Sequence, residues 1–356
     1  MSAKPLEGKR LLVTGGTGSL GQLLVRRLLG GEMGDPETII VFSRDEAKQH
    51  QMRLEYLHRG AATDEVIFRN FQQKLRFWIG DVRDFDSVAA VLRDADAVFN
   101  AAALKQVPTC EYFPYEAVRT NVGGAENIVR AIQKHRIPVE TVVGISTDKA
   151  CKPVNVMGMT KAIQERVFIQ GNMRCPDTRF VCVRYGNVLA SRGSVIPLFH
   201  FQIRNGGPVT VTTPEMTRFL LSLDQAVDTV FAVVGSGRPG ETYVPNVPSA
   251  RVVDIAAVLV GERPIPTVIT GIRPGEKVHE IMVSDEEATL TVARGDWYAI
   301  QAMLPEVGEG PADEPALSKE FSSADHLLSI EETSRLLAAQ KLLVEDVDPL
   351  AGELLR

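Results

Sequence analysis

Residues 10–21 read RLLVTGGTGSLG. A short apolar run ends in Gly15-Gly16-Thr17-Gly18-Ser19-Leu20-Gly21, and Leu20, Leu23, Leu24 and Leu28 then recur at the spacing of one helix face. A strand, a glycine turn and a helix in that order have a physical use. Glycine permits the tight turn, lets a pyrophosphate approach the backbone, and lets the helix pack closely on the strand. The unpaired N–H groups of the first helical turn then face the phosphates. Spacing alone would be a weak signal. Between a strand and a helix, Gly15-x-x-Gly18-x-x-Gly21 predicts a dinucleotide-binding unit.

Outward from this stretch, apolar runs at 38–42, 75–79, 97–99, 142–145 and 180–184 alternate with helical patterns at 45–59, 84–93, 115–135 and from Asn155 onward. That alternation predicts an α/β protein with a Rossmann-type, doubly wound parallel sheet. The second strand ends in Ser43-Arg44-Asp45. An acidic residue placed first would accept from the ribose 2′-hydroxyl of NAD, whereas Ser43 and Arg44 suit a 2′-phosphate and favour NADP. The alternative is a solvated Arg44 and an Asp45 that only opens the next helix. Asp81 and Val82, after the third strand, are placed for the adenine. Ala101, Ala102 and Ala103, after the fourth, let the backbone pass close to a flat cofactor. Lys105 could reach a cofactor or substrate phosphate, or lie exposed without a role.

The polar groups concentrate in 139–161, VETVVGISTDKACKPVNVMGMTK. Its apolar run ends in Ser146, Thr147, Asp148 and Lys149, and Met157 and Lys161 stand four apart on one face of the following helix. A strand end leading to a helix start is where open α/β sheets bind ligands.

The chain has 356 residues, more than one core usually supports. We expect a nucleotide domain over 1–184 plus 221–240, a substrate lobe over 185–220 plus 241–300, and a C-terminal extension over 301–356. The extension holds a Pro/Gly/acid-rich loop at 305–316 and an amphipathic helix at 328–341. A net charge of −6 argues against a general nucleic-acid binder. No run reaches the ~18 apolar residues of a membrane span. The polar start shows no signal peptide, and four cysteines without framework or metal spacing read as reduced thiols, so a cytoplasmic location is expected.

The strings TGGTGSLG, SRDE, NAAALKQVP, STDKA, RYGNVLASRGSVIPLF, EMTRF and RPGEK together resemble the extended short-chain dehydrogenases/reductases of polysaccharide biosynthesis. Within them the likeness runs to the inverting UDP-N-acetylglucosamine 4,6-dehydratases, over roughly residues 8–300. The resemblance implies a redox-neutral dehydration of UDP-N-acetylglucosamine or a related UDP-hexosamine, with NADP taking and returning a hydride. Thr147 would bond the carbon-4 oxygen, Asp148 would be the acid for the departing 6-hydroxyl, and Lys149 the base at carbon 5. Retaining relatives carry a glutamate at the Lys149 position, which suggests inversion. As a base Lys149 must lose its proton, for which desolvation or neighbouring cations such as Lys161 would be needed. Lys161 would bind the nicotinamide ribose. Asn187 and the 193–199 stretch, with Val195, match positions that hold the nucleotide. Arg218, Arg273 and Glu276 match positions around the diphosphate and the uridine ribose. A homo-oligomer, a hexamer among its forms, is also implied.

One departure stands out. The superfamily's tyrosine, four residues before the lysine, is here Met157, whose thioether cannot exchange a proton. Two other functions remain open at this point: a UDP-sugar 4-epimerase, which needs only ketone formation, and a non-catalytic NADP-sensing module.

Overall fold

A computed structural model describes residues 4–58, 65–189, 194–308 and 314–346. Its centre is a nine-stranded sheet. We label its strands β1 (Arg10–Thr14), β2 (Thr38–Ser43), β3 (Leu75–Ile79), β4 (Ala97–Asn100), β5 (Thr141–Ile145), β6 (Arg179–Val183), β7 (Thr242–Pro245), β8 (Thr291–Arg294) and β9 (Trp297–Ile300). The order is β8-β9-β7-β6-β5-β4-β1-β2-β3, with every pair from β3 to β7 parallel and the β7-β9-β8 edge antiparallel. The order reverses between β1 and β4, and ligands bind outside the carboxyl ends of the strands at such a switch point.

The principal helices are α1 (Ser19–Leu29), α2 (Gly123–His135), α3 (Val156–Arg174), α4 (Val195–Arg204), α5 (Leu223–Ser236), α6 (Val252–Val260) and α7 (Ile330–Ala339). One core packs Leu24, Val25 and Leu28 of α1 and Val227, Val230 and Val234 of α5 on one sheet face. A second packs Ile128, Val129 and Ile132 of α2 and Phe168 of α3 on the other. Both faces are covered, as parallel strands with near-continuous apolar runs require. Ser222 caps α5 in a reciprocal box with Gln225.

The glycine turn is built as its sequence requires. Gly15 has φ +66°, and a Cβ there would lie 2.7 Å from the Ala102 nitrogen; one at Gly21 would lie 2.5 Å from Gly16 Cα. Only hydrogen fits at either place.

Three expectations change. The helix expected over 115–135 runs as Pro114–Ala117, a π turn at Val118–Val122, and then α2. Asn121 lies in the π turn and bonds Leu104 through both its N–H and its carbonyl, as well as the Thr160 hydroxyl. Such bulges recur at functional sites.

The lobe boundaries shift as well. Segment 241–300, expected in the lobe, completes the main sheet with its two ends. The TYVP run of β7 is buried throughout and pairs with β6, and the β8–β9 hairpin closes that edge.

Third, the extension is not separate from the lobe. Leu337 of α7 joins Phe199, Ile203, Ile255 and Leu259 in the lobe's core, and Phe321–Ser322 pairs with Ile281–Val283. Of the loop expected at 305–316, residues 309–313 lie outside the described residues.

Arg184 ties the halves together. Buried just after β6, it pairs with Glu165 of α3 at 2.6 Å and with Glu287 at 2.7 Å, and donates to the Met282 carbonyl. Removing one partner of a buried ion cluster leaves uncompensated charge. Arg184→Met should therefore lower unfolding free energy by about 3–5 kcal/mol, read by urea denaturation.

Candidate active site

The carboxyl ends of β1, β2, β4 and β5 open into a cleft of about 970 Å³, whose far wall is the lobe. That volume is at the top of the range for small-molecule sites. On the nucleotide side it is lined by Gly15, Thr17, Gly18, Ser19, Leu20 and Gly21. The N-cap of α1 is Gly18, which gives no side-chain cap, so the first N–H groups remain available to a phosphate. The cradle fits a dinucleotide.

At the end of β2, Ser43 is engaged: its hydroxyl lies 3.1 Å from that of Thr17 and accepts from the Asp45 N–H. Arg44 is more than half exposed, with Nη1 3.9 Å from Asp81 Oδ2. Asp81 is committed to Arg83 through a bidentate pair at 2.6 to 3.0 Å. Burial raises its carboxyl, but Arg83 and Arg44 outweigh that and hold it below the ordinary range. Val82 is buried and its carbonyl accepts from Asn127. Ala101, Ala102, Ala103 and Lys105 all line the cleft.

Beyond β5 the chain turns through a short helix at Asp148–Ala150 and re-enters as α3. Asn155 caps α3, accepting from the Gly158 N–H, and its amide donates to the Gly275 carbonyl of the lobe. A Cβ at Gly158 would sit 2.1 Å from the Lys149 carbonyl, so glycine lets α3 press against the turn.

The polar cluster is a network. Asp148 Oδ1 accepts from Thr147 Oγ1 at 2.9 Å and from Lys149 Nζ at 3.1 Å. Lys149 Nζ also donates to Asn187 Oδ1 at 2.8 Å and lies 3.3 Å from Glu280 Oε1. Arg218 Nε is 3.8 Å from the same Glu280 oxygen. The expectation that cations would push Lys149 toward neutrality is corrected here. Burial does lower its pKa, but the Asp148 and Glu280 carboxylates prevail over burial and Arg218 and raise it. Asp148 is raised, first by burial and then by Glu280, against the pull of Lys149. Glu280 is also penalised by burial, yet Lys149, Arg218 and Lys277 hold it below the ordinary range.

Asp148 is fully buried and does not line the cleft. Its Oδ2 has no partner among the described residues and abuts Gly186, where a Cβ would be 3.3 Å away. Its Oδ1 is linked to the cleft through Thr147 and Lys149, which do line it.

Met157 is buried among Cys110, Ala117, Leu104, Val107 and Val156 and offers the cleft a thioether. Lys161 lines the cleft and donates to the Ile145 carbonyl and to Gln164 Oε1. Tyr185 lines the cleft, but burial pushes its phenol up and keeps it protonated. In the lobe, Asn187, Val195, Arg218, Arg273 and Glu276 all face the cleft. Arg218 Nη1 donates to the Thr217 and Val278 carbonyls, whereas Arg273 is exposed with Glu276 folded against its backbone N–H. Residues 190–193 of the RYGNVLASRGSVIPLF run lie outside the described residues. No cluster of three or more His, Cys, Asp or Glu side chains suited to a metal occurs among the described residues.

Glu280 is the group that sequence reading missed. It follows RPGEK by three residues and is 3 % exposed, facing Lys149. An acid directly before the apolar IMV run was the available signal, but its relation to Lys149 arises only from docking of the lobe. Ser146, with a buried unpartnered hydroxyl on the cleft wall, was noticed only as part of its cluster.

The profile of a family described as "Polysaccharide biosynthesis protein" matches residues 11–302. The chain is 43% identical over 298 residues to a Rickettsia typhi protein named UDP-glucose 4-epimerase, covering 82% of each. It is 40% identical over 351 residues to the Rickettsia canadensis protein of the same name, covering 95% of this chain and 98% of that one. Among solved structures, Pen from Bacillus thuringiensis superposes with a TM-score of 0.83 at 31% identity, over 95% of this chain and 99% of that one. DesIV, the dTDP-glucose 4,6-dehydratase of Streptomyces venezuelae, gives 0.62 at 23% identity over 76% and 86%, a likeness of fold.

Burial drops the pKa of Lys161 from 10.5 to about 8. Between those values the unfolded chain holds the extra proton, so folding stability rises with pH across the window, by up to about 1.4 kcal/mol per pH unit. Urea unfolding of the ligand-free protein from pH 8 to 10.5 should show this rise, and Lys161→Met should lack it.

Proposed function

This chain belongs to the polysaccharide biosynthesis protein family, and from that premise we propose that it catalyses the NADP-dependent 4,6-dehydration of UDP-N-acetylglucosamine, with inversion at carbon 5. The coarser statement, an extended short-chain dehydrogenase/reductase that modifies a nucleotide sugar, rests on the family match and on the Rickettsia relatives named UDP-glucose 4-epimerase. The observation that carries the finer one is the Thr147–Asp148–Lys149–Glu280 network on the cleft wall. Epimerisation at carbon 4 needs an oxidant and a rotation. Elimination needs, in addition, an acid for the leaving hydroxyl and a base for the carbon-5 proton.

Oxidised NADP supplies the hydride acceptor. Thr147 bonds the carbon-4 oxygen. Asp148, whose carboxyl is raised, stores a proton and passes it to the 6-hydroxyl through Thr147 or Lys149. Lys149, an ammonium at rest, takes the carbon-5 proton as it gives one of its own to the Asp148 carboxylate left by that step, and it returns a proton to carbon 5 afterwards. Lys161 orients the nicotinamide ribose. Arg218 and Arg273, with Glu276 beside them, hold the diphosphate and uridine ribose, and Asn187 and Val195 flank the nucleotide. Arg suits that task because its planar fork can pair with phosphate oxygens. Met157 packs on the sugar or the nicotinamide.

The second reading is a UDP-sugar 4-epimerase, favoured by the name that the Rickettsia relatives carry. Purified protein incubated with UDP-N-acetylglucosamine separates the two by product mass. We expect loss of one water and, in deuterated water, deuterium at carbon 5. An isobaric product would make the chain an epimerase. Lys149→Ala should lower dehydration by about 10²- to 10⁴-fold, the usual reach of a positioned acid or base.

For the cofactor, the support is Arg44 at the end of β2 with no acid ahead of it and Asp81 held by Arg83. Arg44→Ala should weaken NADP binding by about 1–3 kcal/mol, the worth of a charge-assisted contact, and leave NAD binding nearly unchanged in fluorescence titrations. Equal loss for both would argue for NAD. The exposed Tyr112, Phe113 and Tyr115 support the homo-oligomer that the family likeness suggests.

A further inference from the structure

Oxidation at carbon 4 releases a proton as well as a hydride, and with methionine at position 157 the usual acceptor is missing. We propose that Glu280 is the acceptor of that proton, with the Lys149 ammonium as the bridge between the carbon-4 hydroxyl and its carboxylate. The proposal takes only the substrate's identity from the dehydratase reading, since oxidation at carbon 4 is common to dehydration and epimerisation.

The geometry favours Glu280 over Asp148, Tyr185 and Met157. Glu280 lines the cleft, and its Oε1 is 3.3 Å from Lys149 Nζ and 3.8 Å from Arg218 Nε. Its Oε2 is buried and has no partner among the described residues. Asp148 lies behind Thr147 and Lys149, outside the cleft lining. Tyr185 is held protonated by burial, and Met157 has no exchangeable proton.

The carboxylate is also held firmly in place. The Glu280 N–H donates to Ser323 Oγ at 2.9 Å, and the Ser323 N–H donates to the Glu280 carbonyl at 2.8 Å. Thr217 Oγ1 lies 2.6 Å from Ser323 Oγ and 2.8 Å from His279 Nδ1, which locks the same segment to the strand that carries Arg218. Ser323 lies beyond residue 302, where the family match ends, so the extension reaches the active site as a positioning element.

The step balances. The carbon-4 C–H bond breaks and its electron pair leaves with the hydrogen to the oxidised nicotinamide. The hydroxyl proton moves to Lys149 Nζ as Lys149 gives one of its own to Glu280, and the carbon–oxygen double bond forms. Lys149 ends as it began, an ammonium, and Glu280 ends as a neutral acid. Its stored proton returns through Lys149 when carbon 5 is reprotonated, while Asp148 supplies the one that leaves with the 6-hydroxyl.

The test is single-turnover nicotinamide reduction by UDP-N-acetylglucosamine, across pH, in the parent, Glu280→Gln and Glu280→Asp. Glu280→Gln should slow reduction by about 10²- to 10⁴-fold, with substrate affinity by calorimetry nearly unchanged, and Glu280→Asp should recover part of the rate. In the parent the rate should fall at acid pH as Glu280 protonates among Lys149, Arg218, Lys277, His279 and Asp148. Glu280→Gln should lose that limb. A Gln variant that reduces its nicotinamide at the parent rate, or keeps the acid limb, overturns the assignment.

Infrared spectra of the parent labelled with ¹³C-glutamate give a second readout that needs no variant to fold. Without ligands, two buried glutamates, Glu280 and Glu287, should titrate below the ordinary range, and oxidation of the sugar should convert one of them to a protonated carboxyl. Absence of that band overturns the assignment equally. Nicotinamide reduction without loss of water would remove the dehydratase reading and leave Glu280's role standing.

Discussion

The Lys149 ammonium is the point on which both halves of the molecule converge. It is held by Asp148 from its own turn, by Asn187 from the chain after β6, and by Glu280 from the lobe. A half-buried cation between two buried carboxyls tolerates little displacement, because the charges on Lys149 and Glu280 stabilise each other. Much of the surrounding structure serves that arrangement. Gly158 lets α3 press on the turn, Asn155 ties α3 to the lobe at Gly275, and Ser323 clamps the backbone of Glu280.

The same logic operates at a second, purely structural cluster. Arg184 sits between Glu165 and Glu287 and adds the Met282 carbonyl, so the strand end after β6, helix α3 and the segment after Glu280 are held as one unit. One network holds the frame and the other is open to the cleft. What separates them is partnering: both oxygens of Glu165 and of Glu287 are bonded to Arg184, whereas Asp148 and Glu280 each keep an oxygen without a partner among the described residues. Unpartnered buried acceptors are costly, and those of Asp148 and Glu280 belong to the two carboxyls that flank Lys149.

A fold of this class is legible in sequence because its signals are local. The glycine turn at 15–21, the alternation of apolar runs with helical periodicity, and the Ser222–Gln225 cap each depend on residues within a few positions of one another. The long helix expected over 115–135 failed because Asn121 satisfies the backbone of Leu104 and the Thr160 hydroxyl, neither of which is its neighbour in sequence. The lobe boundary failed for a related reason: a four-residue buried run such as TYVP is compatible with either half until its partner strand is known.

By itself, the sequence determined the doubly wound sheet, the dinucleotide cradle and the strand end that carries Thr147, Asp148 and Lys149, since each is written in contiguous residues with a fixed physical use. Only the tertiary structure decided the electrostatics of that strand end. Lys149 keeps its charge against burial because Asp148 beside it and Glu280, 131 residues further on with its backbone held by Ser323, together outweigh desolvation, and burial in the folded chain raises Asp148. Ionisation depends on distance and burial, and neither is set until the lobe closes on the sheet.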